Sequence, residues 1–181
     1  MTQRRTGLLI LMVVFVGLLL LTLAQPPLET SHQPLTPVAP FYRVFPDLAV
    51  LDIMAMRIRS PETDDTFTLL RNEQGEWQVA DRSGTLEEGA GTVLARTMAL
   101  LPYTSEMQAE PNLATYGFTP EGVLAIEIVL VDGGSHAVAV GFRTPTEQGY
   151  YAFVDDRPDL YILDRSAVDY LISQLRDPPV A

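Results

Sequence analysis

The sequence predicts an α+β protein: antiparallel strands with two segregated helices, preceded by one transmembrane helix. Three observations carry that prediction. Short segments that alternate in polarity, separated by turn signals such as Asn72-Glu73-Gln74-Gly75 and Asp132-Gly133-Gly134, read as strands joined by hairpins. A stretch near 86–101 spaces apolar residues by three and four, as one face of a helix does, and capping-box spacing at Ser166 to Asp169 opens a second helix that runs to about Arg176. Finally, Gly7 to Ala24 is an unbroken run of 18 residues, apolar or small except for Thr22.

As a helix, that run rises roughly 27 Å at ~1.5 Å per residue, just enough for a hydrocarbon core of ~30 Å. Arg4 and Arg5 precede it with no acid nearby, which places the N-terminus in the cytoplasm. The rival reading is a cleaved signal peptide, whose apolar region is normally ~7–15 residues. Thr22-Leu23-Ala24 offers only a weak small-x-small site, followed at once by Pro26 and Pro27. A buried core helix fits least, because the run has no polar face. Either leading reading exports the remainder. The expected organisation is a cytoplasmic N-terminus over 1–6, an anchor over 7–24, a linker over 25–40 and an exported α+β domain over 41–178.

The linker assignment rests on five prolines in 16 residues, with Thr30, Ser31 and Thr36 between them. Such a segment is a semi-extended spacer, and its His32 reads as solvated. All 23 acids follow residue 25, whereas ten of the 12 basic residues do, giving the exported part a net charge of −13. That charge argues against nucleic acid or anionic headgroups as partners, and is compatible with weak cation binding. Cysteine is absent, so no disulfide, thiolate nucleophile, cysteine-based metal site or cysteine lipid anchor exists.

Folding is expected to start near Phe41-Tyr42-Arg43-Val44-Phe45. Leu48 to Arg59 reads as a strand with Met54, Met56 and Ile58 on one face. Thr66 to Arg71 follows, and Trp77-Gln78-Val79 returns after the hairpin, with Trp77 as a core or cross-strand anchor. Leu86, Ala90, Val93, Leu94, Thr97 and Leu101 define the predicted face of the first helix. Glu87 and Glu88 favour its first turn, Gly89 and Gly91 weaken it, and Pro102 ends it. Pro111 to Pro120 is irregular, with Gly117 supplying an unusual backbone angle. Val123 to Val131 is the most apolar strand, with both faces expected to be covered. Strands follow over Ser135 to Gly141, Tyr150 to Val154 and Tyr161 to Leu163. Ser166-Ala167-Val168-Asp169 has capping-box spacing ahead of a last helix that ends near Arg176. The order, three strands and a helix and then four strands and a helix, suggests a duplicated β-β-β-α unit.

Several of these stretches together resemble a known family. Glu76-Trp77 after a turn, the helix ending Leu100-Leu101, Tyr116-Gly117-Phe118-Thr119-Pro120, Val140-Gly141 and Tyr150-Tyr151-Ala152 resemble, in that order, the bacterial family called domain of unknown function 4340. The resemblance covers roughly residues 45–175, with Phe118 where the family usually has Leu. It implies a membrane-anchored exported module, in some cases found with gliding-motility or export-type ABC transporters. It supplies no catalytic residue.

The residues themselves point the same way. A serine-type triad needs an activated Ser, a His and an acid, yet the folded part holds only His136 and no nucleophile elbow. One folded histidine without cysteine makes a poor zinc site. Asp155-Asp156-Arg157-Pro158-Asp159 lacks the glycine and terminal Glu of an EF-hand loop and reads as a solvated turn. Gly133-Gly134 is a hairpin turn, and no phosphate-binding fingerprint is present. Glu127, a carboxylate within an apolar strand, is either a raised-pKa acid or the partner of a cross-strand Arg. The expectation is a non-enzymatic extracytoplasmic module, without cofactor or metal, that binds a protein or envelope component, an ABC transporter subunit being the partner the resemblance implies. The alternatives are a hydrolase of envelope polymers acting through acidic residues, and a small-ligand or cation sensor.

Overall fold

Nine antiparallel strands hydrogen-bond into one sheet in a computed structural model that describes residues 42–118 and 122–181. In chain order they are β1 (Tyr42–Arg43), β2 (Ile53–Arg59), β3 (Thr66–Arg71), β4 (Trp77–Val79), β5 (Pro102–Gln108), β6 (Leu124–Leu130), β7 (Ser135–Arg143), β8 (Gly149–Val154) and β9 (Asp159–Asp164). Helix α1 (Ala90–Ala99) follows β4, and α2 (Arg165–Arg176) follows β9. Across the sheet the order is β1-β5-β9-β8-β7-β6-β2-β3-β4. The expected anchor over 7–24, the linker over 25–40 and His32 lie outside the described residues. Among the described residues, no helix is long and apolar enough to cross a membrane.

One face of the sheet carries the core. Met56, Ile58, Phe67, Leu69, Ile126, Ile128, Val138 and Val140 point to it, and both helices cover it with Leu94, Met98, Val168 and Leu171. Each large side chain fully removed from water there stabilises the fold by about 1.5–3 kcal/mol. The α+β class with segregated helices is therefore what the alternating pattern builds: strands with one apolar face, and helices that close it.

Four local expectations are corrected. Met54 is exposed, not aligned with Met56 and Ile58, because a bulge makes it the extra residue between the Ile53–Leu130 and Ala55–Val129 pairs. A bulge reverses the side-chain phase of a strand, which returns Ile53 to the core. In α1 the buried face is Gly91, Leu94, Ala95, Met98 and Ala99, while Val93 is exposed. Gly91 faces inward because Trp77 lies against it, and a methyl group there would sit 2.5 Å from Trp77 Cγ. Third, α2 is capped two residues earlier than its Ser166 pattern suggests: Asp164 Oδ1 accepts from the Ala167 N–H at 3.2 Å. Fourth, the second face of β6 is open rather than covered, since Glu127 is exposed on it.

Two strands lay outside the sequence reading. β1 is two residues long, and β5 is polar, partly exposed and begins at Pro102, which starts a strand rather than only ending a helix. With them in place, the two halves show matching parts. β2-β3-β4 and β6-β7-β8 are both meanders, joined antiparallel through β2 and β6. The strand after α1, β5, pairs with β9 just before α2, while Val180 after α2 bridges to Leu86 just before α1. The β3–β4 turn carries Glu73-Gln74-Gly75 and the β7–β8 connection carries Glu147-Gln148-Gly149.

Candidate functional site: the cleft beside α2 and the apolar corner

The densest polar network joins the end of β7 and start of β8 to α2. Tyr150 is buried, and its hydroxyl donates to Asp169 Oδ1 at 2.6 Å while accepting from Arg143 Nε at 2.7 Å. Arg143 also donates through Nη2 to Asp169 Oδ1 at 2.8 Å, and its guanidinium lies 5.3 Å from the centre of the Tyr150 ring. Arg165 Nε donates to Asp169 Oδ2 at 3.0 Å from one turn earlier in α2. Partial burial alone would raise the carboxyl of Asp169. The hydrogen bonds from Tyr150, Arg165 and Arg143 outweigh it and hold that carboxyl below its usual 3.8. Burial pushes the Tyr150 phenol up, and its bond to Asp169 adds to the shift.

This network walls one side of a cleft of ≈ 380 Å³ on the helix side of the sheet. Its floor is Val123, Leu124, Phe142, Ile172 and Leu175. Arg143 and Arg176 line it, and Ser60, Glu62, Thr63 and Asp65 from the β2–β3 connection form the facing wall. A second depression shares Arg143, Tyr150, Ile172 and Arg176 and continues along α2 past Asp169. No motif announced this cleft. Its cations stand 33 residues apart on different elements, and only the return of α2 onto the sheet brings them together.

At the other end of β2 and β6 lies a corner of exposed apolar side chains. Leu51 and Val131 are 70% and 65% exposed, with Met54 and Leu70 beside them at 43% and 46%. The backbone ties the corner together: the Val131 N–H donates to Asp52 O at 2.8 Å, and Arg71 Nη1 donates to Leu51 O at 3.1 Å. Asp47, Asp52, Asp132 and His136 line an adjoining depression of ≈ 490 Å³ with Leu48, Leu130 and Val131.

The residues singled out from the sequence take structural partners. Glu127 Oε2 accepts from Arg57 Nη1 at 3.0 Å across the open face, both side chains about half exposed, so the cross-strand reading holds. His136 Nδ1 lies 3.0 Å from Asp155 Oδ2, with its ring 4.4 Å from that of Phe45. Asp155 Oδ1 accepts from the Ala137 N–H at 2.8 Å, which makes the aspartate-rich turn a brace for β7. Among the described residues, no group of His, Asp or Glu is placed to hold a metal ion. Trp77 is half-buried, paired across the sheet with Arg71, whose guanidinium lies 6.0 Å from the ring centre.

Three of the stretches that carry the family resemblance meet, while Thr119-Pro120 lies outside the described residues. Gly117 has a left-handed backbone (φ +90°), and a Cβ there would lie 2.5 Å from Phe142. A Cβ on Gly141 would meet the Tyr116 carbonyl, so the Tyr116-Gly117-Phe118 turn docks on Val140-Gly141 only because both glycines lack one. The turn then lays Tyr116 against Tyr151 and Phe118 against Phe153, each at 4.9 Å between ring centres. Comparison with models of known protein families, with curated proteins and with solved structures returned no match.

Proposed function

We propose that this chain is a single-pass, membrane-anchored extracytoplasmic module that works by binding another membrane or envelope protein, most specifically a subunit of an ABC-type transport system. The observation that carries the binding reading is the corner of Leu51, Met54, Leu70 and Val131, four large apolar side chains left 43–70% exposed at one end of the sheet. Clustered exposed apolar side chains rimmed by polar groups are characteristic of protein contacts. Glu127, the residue a hydrolytic reading would use, is engaged by Arg57 on an open face, which favours binding over catalysis. The apolar run over 7–24 with Arg4 and Arg5 before it supports an anchor with its N-terminus inside. The exported part's charge of −13 disfavours both anionic lipid and nucleic acid. The resemblance to the domain of unknown function 4340 family supplies the transporter context. We read the two meanders, each followed by a helix, as a duplicated unit.

A photo-crosslinking residue placed at Val131 of the full chain, in native membranes, tests the reading. The expected result is one discrete adduct, absent when the crosslinker is moved to exposed Glu88 and lost on Leu51→Asp. Equal labelling from Val131 and Glu88, or an adduct that survives Leu51→Asp, would remove the corner as the contact.

A further inference from the structure

We propose that the cleft beside α2 binds the carboxyl-terminal end of a peptide chain whose last side chain is apolar. This site lies at the far end of β2 and β6 from the exposed corner, and stands whether or not that corner docks a partner.

The cations come first. Arg176 is exposed on the last turn of α2, and no hydrogen bond or ion pair engages it among the described residues. Arg143 is oriented by Tyr150 and Asp169 through Nε and Nη2, which leaves Nη1 for another acceptor. In an exported part of net charge −13 an anion is repelled at long range and held only by local donors, which here are the two guanidinium groups. Carboxylate is the acceptor whose geometry matches a guanidinium edge. The exposed carbonyls ending α2 disfavour an anion near Arg176, so the carboxylate belongs on the Arg143 side with Arg176 reaching across to it.

The opposite wall decides between carboxylates. Glu62 and Asp65 line the cleft there, and Asp65 Oδ2 accepts from the Thr63 hydroxyl at 2.7 Å while Oδ1 has no donor among the described residues. A plain acyl acid would leave nothing to pair with the acceptors on that wall. An extended peptide supplies main-chain N–H donors to that wall and its carboxylate to Arg143 and Arg176. Its terminal side chain then has the floor of Phe142, Ile172 and Leu175, of which Phe142 is half exposed. The volume of ≈ 380 Å³ is at the small end for ligand sites, which fits the last two or three residues of a chain rather than a long segment.

The test uses the full-length protein in detergent and a fluorescein-labelled pentapeptide of four alanines and a terminal leucine, as free acid and as amide, read by anisotropy. The expected result is at least tenfold tighter binding of the acid. Arg176→Ala should bring the acid to the level of the amide, and Arg176→Lys should retain part of the difference. Leu51→Asp should leave it unchanged, which separates this site from the corner. Circular dichroism checks that the Arg176 variants fold. Equal affinity for acid and amide, no binding at millimolar peptide, or displacement by octanoate as readily as by unlabelled peptide would each overturn the assignment.

Discussion

Gly91→Ala should destabilise this protein, against the usual sign for glycine in a helix. An exposed helical glycine replaced by alanine gains up to about 1 kcal/mol. Gly91 stands in the first turn of α1, where that gain is smaller, and it faces the core. An added Cβ would sit 2.5 Å from Trp77 Cγ and 2.8 Å from Cδ1, and would also crowd Trp77 Cβ. These atoms are the root of a side chain fixed on β4, so relief requires moving the helix or the strand. Overpacking of this kind costs about 1–3 kcal/mol, which leaves a net loss of ~0.5–2 kcal/mol after the propensity gain. Trp77 is the single tryptophan, so denaturation followed by intrinsic fluorescence reports stability and the local environment together. The variant should show a lower midpoint and a red-shifted native emission. Gly89→Ala is the comparison: nothing lies within 4 Å of its Cβ, but φ is +79°, so it should lose about 1–2 kcal/mol with native emission unchanged. A raised midpoint and unaltered emission for Gly91→Ala would refute the packing argument.

Tyr150→Phe should cost about 1.5–3 kcal/mol in urea denaturation, the range for a buried hydrogen bond to a charged group. The same variant should weaken acid sensitivity. Asp169 has its carboxyl lowered in the fold, so its contribution is present above the ordinary carboxylate value and lost as pH falls through the lowered one. Removing the Tyr150 hydroxyl reduces that shift, and the wild-type and variant stability curves should converge below about pH 4. Glu127→Gln should change the denaturation midpoint by no more than the equivalent of about 0.5 kcal/mol, because its pair with Arg57 is half exposed on both sides. A large loss there would show that the open face is covered in the working protein.

The fold was legible where one period ran through a whole element. Thr66 to Arg71 and Leu124 to Leu130 alternate cleanly, and the β3–β4 turn at Asn72 to Gly75 closes with the Gly75 N–H on Asn72 O at 2.9 Å. It was illegible where tertiary contacts decide. β5 has no apolar face of its own and exists because β9 offers it a partner edge. The bulge at Met54 leaves no mark in the residue pattern, yet it inverts which residues before it are buried. Gly91 reads as a helix breaker until Trp77 is seen resting on it.

The same limit explains the sites. Reasoning along the sequence finds chemistry when a local spacing carries it, so it weighed Glu127, His136 and the 155–159 turn, each conspicuous within its own segment. Glu127 pairs with Arg57, and His136 and the 155–159 turn are engaged with each other through Asp155. The cleft instead draws on Arg143, whose Nη1 is unused, and on Arg176, and nothing local distinguishes these two from the other arginines. Their pairing follows from the course of the chain. β7 runs out to Arg143, β8 returns with Tyr150 buried beneath it, and the Asp164 cap starts α2 so that Asp169 meets both. About one turn further on, the same helix adds Ile172 to the floor of the cleft, and about two turns on it adds Arg176 to its lining, facing the acceptors of the β2–β3 connection. The second cation is what turns a brace into a candidate carboxylate site.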